Sequence, residues 1–89
     1  MKFESVPAEY QKKFDFLASM LKEYRINSGY SQNALIKELN LNLNRNTVSR
    51  AENAKNISLL SLFELAATLE IDLKELFDDD EEIWMIKKK

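Results

Sequence analysis

Four polar side chains near the middle of the chain carry hydrogen-bonding groups suited to the edges of nucleic-acid bases. They fall at spacings of 1, 4 and 5 residues, and they are Arg45, Asn46, Ser49 and Arg50. At helical periodicity they share the face opposite Val48 and Ala51. An arginine fork matches guanine, an asparagine amide matches adenine, and a major groove admits one α-helix. We therefore expect this face to contact bases; the alternative is an ordinary solvated helix face.

The composition argues for one helical domain and against catalysis. The chain has 89 residues, 45% of them hydrophobic and 31% charged, with a single Gly and a single Pro. This length supports one modest core, and the scarcity of turn formers favours helices. The chain has no Cys and no His, which excludes disulfides, thiolate metal sites and the commonest general base. Since there is no nucleophile motif or phosphate loop either, we expect no enzyme activity, no cofactor and no metal.

Charge is distributed unevenly along the chain. The net charge is −2, yet residues 1–57 carry nine basic and six acidic side chains, whereas residues 58–89 carry four and nine. The half with the candidate reading helix is therefore positive, so one face can approach DNA while the acidic half stays away. No apolar run reaches the ~20 residues of a membrane span. The N-terminus also lacks the apolar core of a signal peptide, and we expect a cytoplasmic protein.

Five amphipathic helices account for the apolar pattern. Capping residues and apolar spacing place them at about residues 6–28, 32–39, 45–54, 58–69 and 72–77. The expected N-caps are Ser5, Ser31, Asn44, Ser58 and Asp72, and Gly29 is the expected stop of the first helix. The residues of the fourth helix expected to point inward are Leu59, Leu62, Leu65, Ala66 and Leu69. The predicted fold class is therefore all-α.

Three sequence markers, taken in this order and spacing, resemble the lambda-repressor and Cro type of helix-turn-helix regulators, also called XRE type. The first is LKEYR at 21–25 with GYSQ at 29–32, the second is TVSRAEN at 47–53, and the third is SLLSLFELAATLEIDLKELF at 58–77. The resemblance covers residues 17–77 and implies a five-helix lambda-repressor-like DNA-binding domain. Residues 1–16 extend its first helix, and residues 78–89 form an acidic stretch and an apolar tail.

The resemblance also implies roles for residues around the reading helix. Gln32, Asn53 and Lys55 match positions that contact the DNA backbone, although each could instead be a plain surface residue. Gln32 also begins a helix, whose first backbone N–H groups form a natural phosphate site. Arg25 and Glu52 match a pair that joins helix one to the end of helix three. The alternative for this pair is two independent surface charges.

The chain departs from the family pattern around the reading helix. The turn before this helix is longer, with Asn42 and Leu43 as the surplus, so the helix could lie at a different angle. The longer turn also makes Asn44 a candidate base or phosphate contact. Ala54 stands where the family prefers Gly, and Ile57 stands where it usually has Pro.

The apolar tail is the expected dimer interface. It follows five consecutive acids and consists of Ile83, Trp84, Met85 and Ile86. An exposed Trp within an apolar run is costly on the surface of a monomer, so we expect the segment to leave the globule and meet a second copy. The alternatives are a mobile tail or one folded back onto its own core. Leu60 and Phe63 form a second apolar stripe that could serve the same interface or belong to the core.

Together these features predict a sequence-specific transcriptional regulator, by default a repressor, that binds a palindromic operator in double-stranded DNA as a homodimer. A restriction–modification controller, or an antitoxin with a toxin partner, would use the same fold. A protein-interaction module that does not depend on DNA is the alternative from a different class. A DNA reader would show steeply salt-dependent non-specific DNA binding, and such a module would not.

Overall fold

A computed structural model of the chain describes residues 6–39 and 44–77 together with Trp84. Within these residues the regular secondary structure is entirely helical, which confirms the all-α fold with five α-helices. A short 3-10 helix, Ala8–Tyr10, comes first. The α-helices are α1 (Gln11–Asn27), α2 (Gln32–Leu39), α3 (Arg45–Glu52), α4 (Leu59–Thr68) and α5 (Leu73–Leu76).

Side-chain caps begin four of these helices at the predicted residues. Each cap accepts a hydrogen bond from a backbone N–H in the first turn: Ser31 from Ala34, Asn44 from Thr47, Ser58 from Ser61 and Asp72 from Lys74. These bonds satisfy N–H groups that have no partner inside the helix. After α1 the chain turns at Gly29, whose φ of +84° lies in the left-handed region that glycine adopts without a Cβ penalty.

The first helix begins later than its sequence predicts. We expected it to start at Val6, but Pro7 is extended, with φ −56° and ψ 144°, and the first turn is of the 3-10 type. Tyr10, at φ −110° and ψ 0°, then separates that turn from α1. The first helix is therefore broken at its N-terminal end, and the expected cap Ser5 lies outside the described residues.

One core joins all five helices. Its most deeply buried side chains are Leu35 on α2, Val48 on α3, Leu65 on α4 and Leu76 on α5, with Leu21 of α1 beside them. Helix α1 packs against α3, and α3 in turn packs against α2 and α4. This arrangement buries one side of α3 and holds it across the domain.

Helix α4 differs from its predicted orientation at its first residue. Leu59, expected to point inward, is 64% exposed, whereas Leu62, Leu65, Ala66 and Leu69 are buried. At ~100° per residue Leu59 lies roughly 70° from the centre of the buried stripe, and it sits in the first turn, where few neighbours cover it. Leu60 and Phe63 are 69% and 44% exposed, so they do not belong to the core.

None of the described helices combines the length and the hydropathy that crossing a bilayer requires.

Candidate nucleic-acid interface

Helix α3 presents a polar outer face because its inner face belongs to the core. Val48 and Ala51 are buried at 1% and 5% exposure. On the other side Arg45, Asn46 and Arg50 are exposed, and Ser49 is half-buried. The four side chains predicted to meet bases thus lie together, away from the core, on one short helix.

The C-terminal half of this face is held by local hydrogen bonds. The Arg50 guanidinium donates from Nη2 to the carbonyl oxygen of Asn56 at 3.0 Å. The Asn53 amide donates to the carbonyl of Ser49 at 2.8 Å and to its hydroxyl at 3.4 Å. Ser49 and Asn53 are therefore partners of one another, and Arg50 is linked to the loop before α4.

Asn44 accepts two hydrogen bonds at the start of α3. Its Oδ1 accepts the Thr47 backbone N–H at 2.9 Å and the Thr47 hydroxyl at 3.2 Å. The cap uses the acceptor end of the amide, and the donor end is the part that can meet a phosphate. The surplus turn residues Asn42 and Leu43 lie outside the described residues.

Arg25 and Glu52 form an ion pair that ties α1 to the end of α3. Arg25 Nε lies 2.6 Å from Glu52 Oε2, and Arg25 Nη2 lies 2.9 Å from Glu52 Oε1. The two side chains are only 11% and 5% exposed, so water screens the pair weakly. Hydrogen bonding to Glu52 raises the pKa of Arg25 above its ordinary value, although burial acts in the opposite direction.

Two further groups complete this arrangement, which we term the Glu52 network: Arg25, the Tyr30 carbonyl, Gln32 and Glu52. Arg25 Nη1 donates to the Tyr30 carbonyl at 2.7 Å. Gln32 Nε2 donates to Glu52 Oε1 at 3.1 Å. The network therefore connects α1, the loop after it, the start of α2 and the end of α3. It fixes the position of α3 relative to α2.

Sequence reasoning missed the Tyr30 carbonyl and the contact between Gln32 and Glu52. The pair Arg25–Glu52 follows from the family pattern, but a backbone carbonyl leaves no sequence signal. On sequence grounds Gln32 is either a backbone contact of DNA or a plain surface residue. Its position at the first residue of α2 is what brings it within reach of Glu52.

Just after α3, residue 54 has a strained backbone conformation, which explains why the family prefers glycine at this position. Ala54 has a φ of +58°, in the left-handed region that costs a residue with a Cβ about 1–2 kcal/mol. The Lys55 N–H then closes the helix by donating to the Arg50 carbonyl at 2.9 Å. Lys55 leaves the helix at this point with an exposed side chain, where it was predicted to contact phosphate.

Trp84, the one tail residue that the structure describes, packs against aromatic side chains of its own chain. Its ring centroid lies 5.6 Å from that of Phe16 in a T-shaped contact and 4.9 Å from that of Phe77. Packing the indole against these two rings removes apolar surface from water, which is favourable. Among the described residues, the buried indole N–H has no hydrogen-bond acceptor. Ile83, Met85 and Ile86 lie outside the described residues.

Comparison with known protein families gives a match. A family model with the description helix-turn-helix covers residues 21–76, more than half of the chain. The matched span begins on α1 and ends at the last residue of α5, so it contains the whole Glu52 network and all of α3. Searches of curated proteins and of solved structures gave no match.

Proposed function

We propose that this chain, which belongs to the helix-turn-helix family of lambda-repressor and Cro type regulators, represses transcription by reading a palindromic operator through α3. Membership makes it a DNA-binding regulator in general; the repressor role and the form of the operator are our proposal. The observation that carries it is the division of α3 into a buried side and an exposed side with arginine and asparagine donors.

Base contacts would come from the exposed face of α3. Arg45 and Asn46 occupy the first turn, the end of a recognition helix that meets base edges in this class of domain. Each can form a bidentate contact, Arg45 with guanine and Asn46 with adenine. Ser49 and Arg50 follow one turn later, and their local hydrogen bonds reduce the number of conformations they must lose on binding.

Phosphate contacts would come from the rim of the same surface and fix the register. The amide of Gln32 has two N–H donors, and the Glu52 network orients it by using one of them. Asn44 retains its amide donors because its cap uses only the oxygen. Asn53 and Lys55 lie just past α3 and would approach the backbone on the other side of the groove.

Binding-site selection followed by fluorescence-anisotropy titration tests this assignment. Arg45→Ala should weaken operator binding by ~1–3 kcal/mol and relax the preference at one base position per half-site. Lys55→Ala should weaken binding about equally on all sequences and lower the salt slope by ~1. Lys74→Ala on α5 is the control, because Lys74 is exposed in the acidic half and should leave affinity unchanged. Base preference unchanged in Arg45→Ala would contradict α3 as the reader.

A homodimer is part of the proposal because one module of this size meets one half-site. Two copies would set half-sites about 10 bp apart or a multiple of that. Since Trp84 packs on Phe16 and Phe77, the exposed stripe of Leu60 and Phe63 becomes as strong a candidate interface as the tail. Light scattering should show a dimer for the full chain. It should show a monomer for Phe63→Glu if the stripe is the interface, or for a truncation after residue 80 if the tail is.

The same exposed stripe favours one second candidate, a protein-interaction module. An antitoxin or a restriction–modification controller would still bind DNA, so only a module independent of DNA is a different class. Binding of the full chain to bulk DNA, measured between low and moderate salt, separates the two. A regulator loses affinity steeply as salt rises, because it displaces counterions from phosphates, whereas a pure interaction module shows almost no binding at any salt.

A further inference from the structure

An apolar pocket opens between α1 and the start of α4, next to the end of α3. Its volume is about 190 Å³. Most of its lining is apolar and comes from Phe14, Leu17, Leu21, Ala51, Ile57, Leu59 and Leu62, and the remaining lining residues are Lys55 and Ser58. Leu59, the residue that departs from the predicted orientation of α4, forms part of this lining and is largely exposed.

The volume of the pocket limits the size of the ligand that it can hold. An apolar cavity of ~150 Å³ lined by Leu, Ile and Phe holds a benzene ring. The pocket therefore accommodates one six-membered ring with a short arm, or an aliphatic chain of similar volume. It is below the range of sites that hold drug-sized ligands.

The polar lining selects the charge of the occupant. Ser58 is already engaged, since its hydroxyl accepts the Ser61 N–H at 3.1 Å and donates to the Ser61 hydroxyl at 2.9 Å. The Lys55 side chain is exposed, and no described residue holds its ammonium in an ion pair. A carboxylate on the ligand would therefore meet a cation at the edge of an apolar site, the combination of apolar walls and one oriented polar group that small-molecule sites use.

We propose that this pocket binds a small amphipathic carboxylate, with an apolar body of about one ring in the pocket and its carboxylate at Lys55. A ligand in this pocket would also contact residues on or next to α3, the helix proposed to read DNA. Ala51 lies on the buried side of α3, and Lys55 is the proposed phosphate contact just past it. The consequence for DNA rests on the function proposed above: a carboxylate at Lys55 competes with phosphate, so the ligand lowers operator affinity.

Amide chemical shifts of the full chain, titrated with phenylacetate, test the binding step. Saturable shifts should centre on residues 55–62, with a dissociation constant of about 1 mM or below, the affinity that some ten non-hydrogen atoms provide. Phenylacetamide, the neutral probe of the same shape, should bind several-fold more weakly. Lys55→Met should remove this preference for the acid. Equal binding of acid and amide by the unmodified chain would overturn the role of Lys55.

A matched pair of variants tests the location. Leu59 and Leu73 are both leucines at the first position of a helix, after Ser58 and Asp72 respectively, where an added carboxylate suits the helix dipole and preserves folding. Leu59→Glu should weaken phenylacetate binding about tenfold or more by charge repulsion at the pocket. Leu73→Glu should leave it unchanged. No saturable shift near residues 55–62, or equal loss in both variants, would overturn the site. Shifts at the same residues on raising the protein concentration alone would assign the pocket to a second copy and overturn the proposal.

Operator titration with and without phenylacetate tests the coupling. The ligand should weaken operator binding by about fivefold or more in the unmodified chain and have no effect on Leu59→Glu. Ligand binding without any effect on the operator affinity would overturn the coupling while leaving the proposed function intact. Absence of operator binding by the free protein would instead overturn the proposed function, and the chemical-shift titration would still decide the pocket.

Discussion

Separating Arg25 from Glu52 should cost a large part of the stability of this domain. The substitutions are Arg25→Met, which keeps the aliphatic stem, and Glu52→Gln, which keeps the shape of the side chain. Two hydrogen bonds link the charged groups, at 2.6 and 2.9 Å, and each such bond contributes ~1.5–3 kcal/mol. Because Glu52 is only 5% exposed, Arg25→Met leaves its carboxylate buried with Gln32 as its remaining partner.

We therefore expect Arg25→Met to lower the free energy of unfolding by ~3–4 kcal/mol and Glu52→Gln by ~2–3 kcal/mol. The double variant should lose no more than the larger single loss, which is a coupling energy of at least ~2 kcal/mol. A domain of this size has a total stability of roughly 4–13 kcal/mol. The midpoint of thermal unfolding should fall by ~12 °C or more in Arg25→Met.

Urea denaturation of the parent, both single variants and the double variant measures this coupling, with Lys74→Met as an exposed control expected to change stability by less than ~0.5 kcal/mol. The pH dependence gives a second check. Because the pKa of Arg25 is raised, the guanidinium stays charged from neutral pH through the moderately alkaline range, and its contribution is lost on the alkaline side only as pH rises through the raised value. The coupling should thus be the same at pH ~7 and ~10. A coupling energy near zero would refute the role of the pair in holding α3.

Two further predictions concern the strained backbone after α3 and the contact between Tyr24 on α1 and Glu75 on α5. Ala54→Gly should stabilise the domain by ~0.5–1 kcal/mol, because the φ of +58° at residue 54 strains alanine. The control, Ala67→Gly inside α4, should instead destabilise the domain by ~1 kcal/mol. Chemical denaturation that ranks the two variants in the opposite order would contradict this prediction. The Tyr24 hydroxyl donates to Glu75, which raises the pKa of Tyr24 above 10.0; the bond should stabilise the fold below that pH and be lost as pH rises through the raised value. Ultraviolet titration should show the Tyr24 pKa fall towards its ordinary value in Glu75→Gln, and an unchanged titration would show that the contact is absent in solution.

The sequence was sufficient for features that depend on local chemistry. The caps Ser31, Asn44, Ser58 and Asp72 were predictable because a short polar side chain before an apolar periodic run has few other uses. The buried positions of α3, Val48 and Ala51, followed from their spacing. The polar outer face of the same helix then followed by exclusion.

Features that depend on the meeting of distant segments were not predictable in the same way. Leu59 fits the apolar spacing of α4, but whether a neighbour covers its first turn depends on how α1 crosses it. Gln32 meets Glu52 only because the packing of α1 against α3 places the end of α3 beside the start of α2. The Trp84 ring could pack on any aromatic surface, and the tertiary structure determines that it packs on Phe16 and Phe77.

Because α3 is short, its helical conformation depends on the whole domain. An isolated helix of eight residues is far below the ~12–15 at which propagation compensates for nucleation in water, so a peptide of residues 44–55 should be a random coil and should not select an operator. In the protein the helix is maintained by the Asn44 cap at one end, the buried Val48 and Ala51, and the link from Glu52 to Arg25 at the other. Moving the proposed recognition surface to another scaffold would therefore require grafting α1 along with α3.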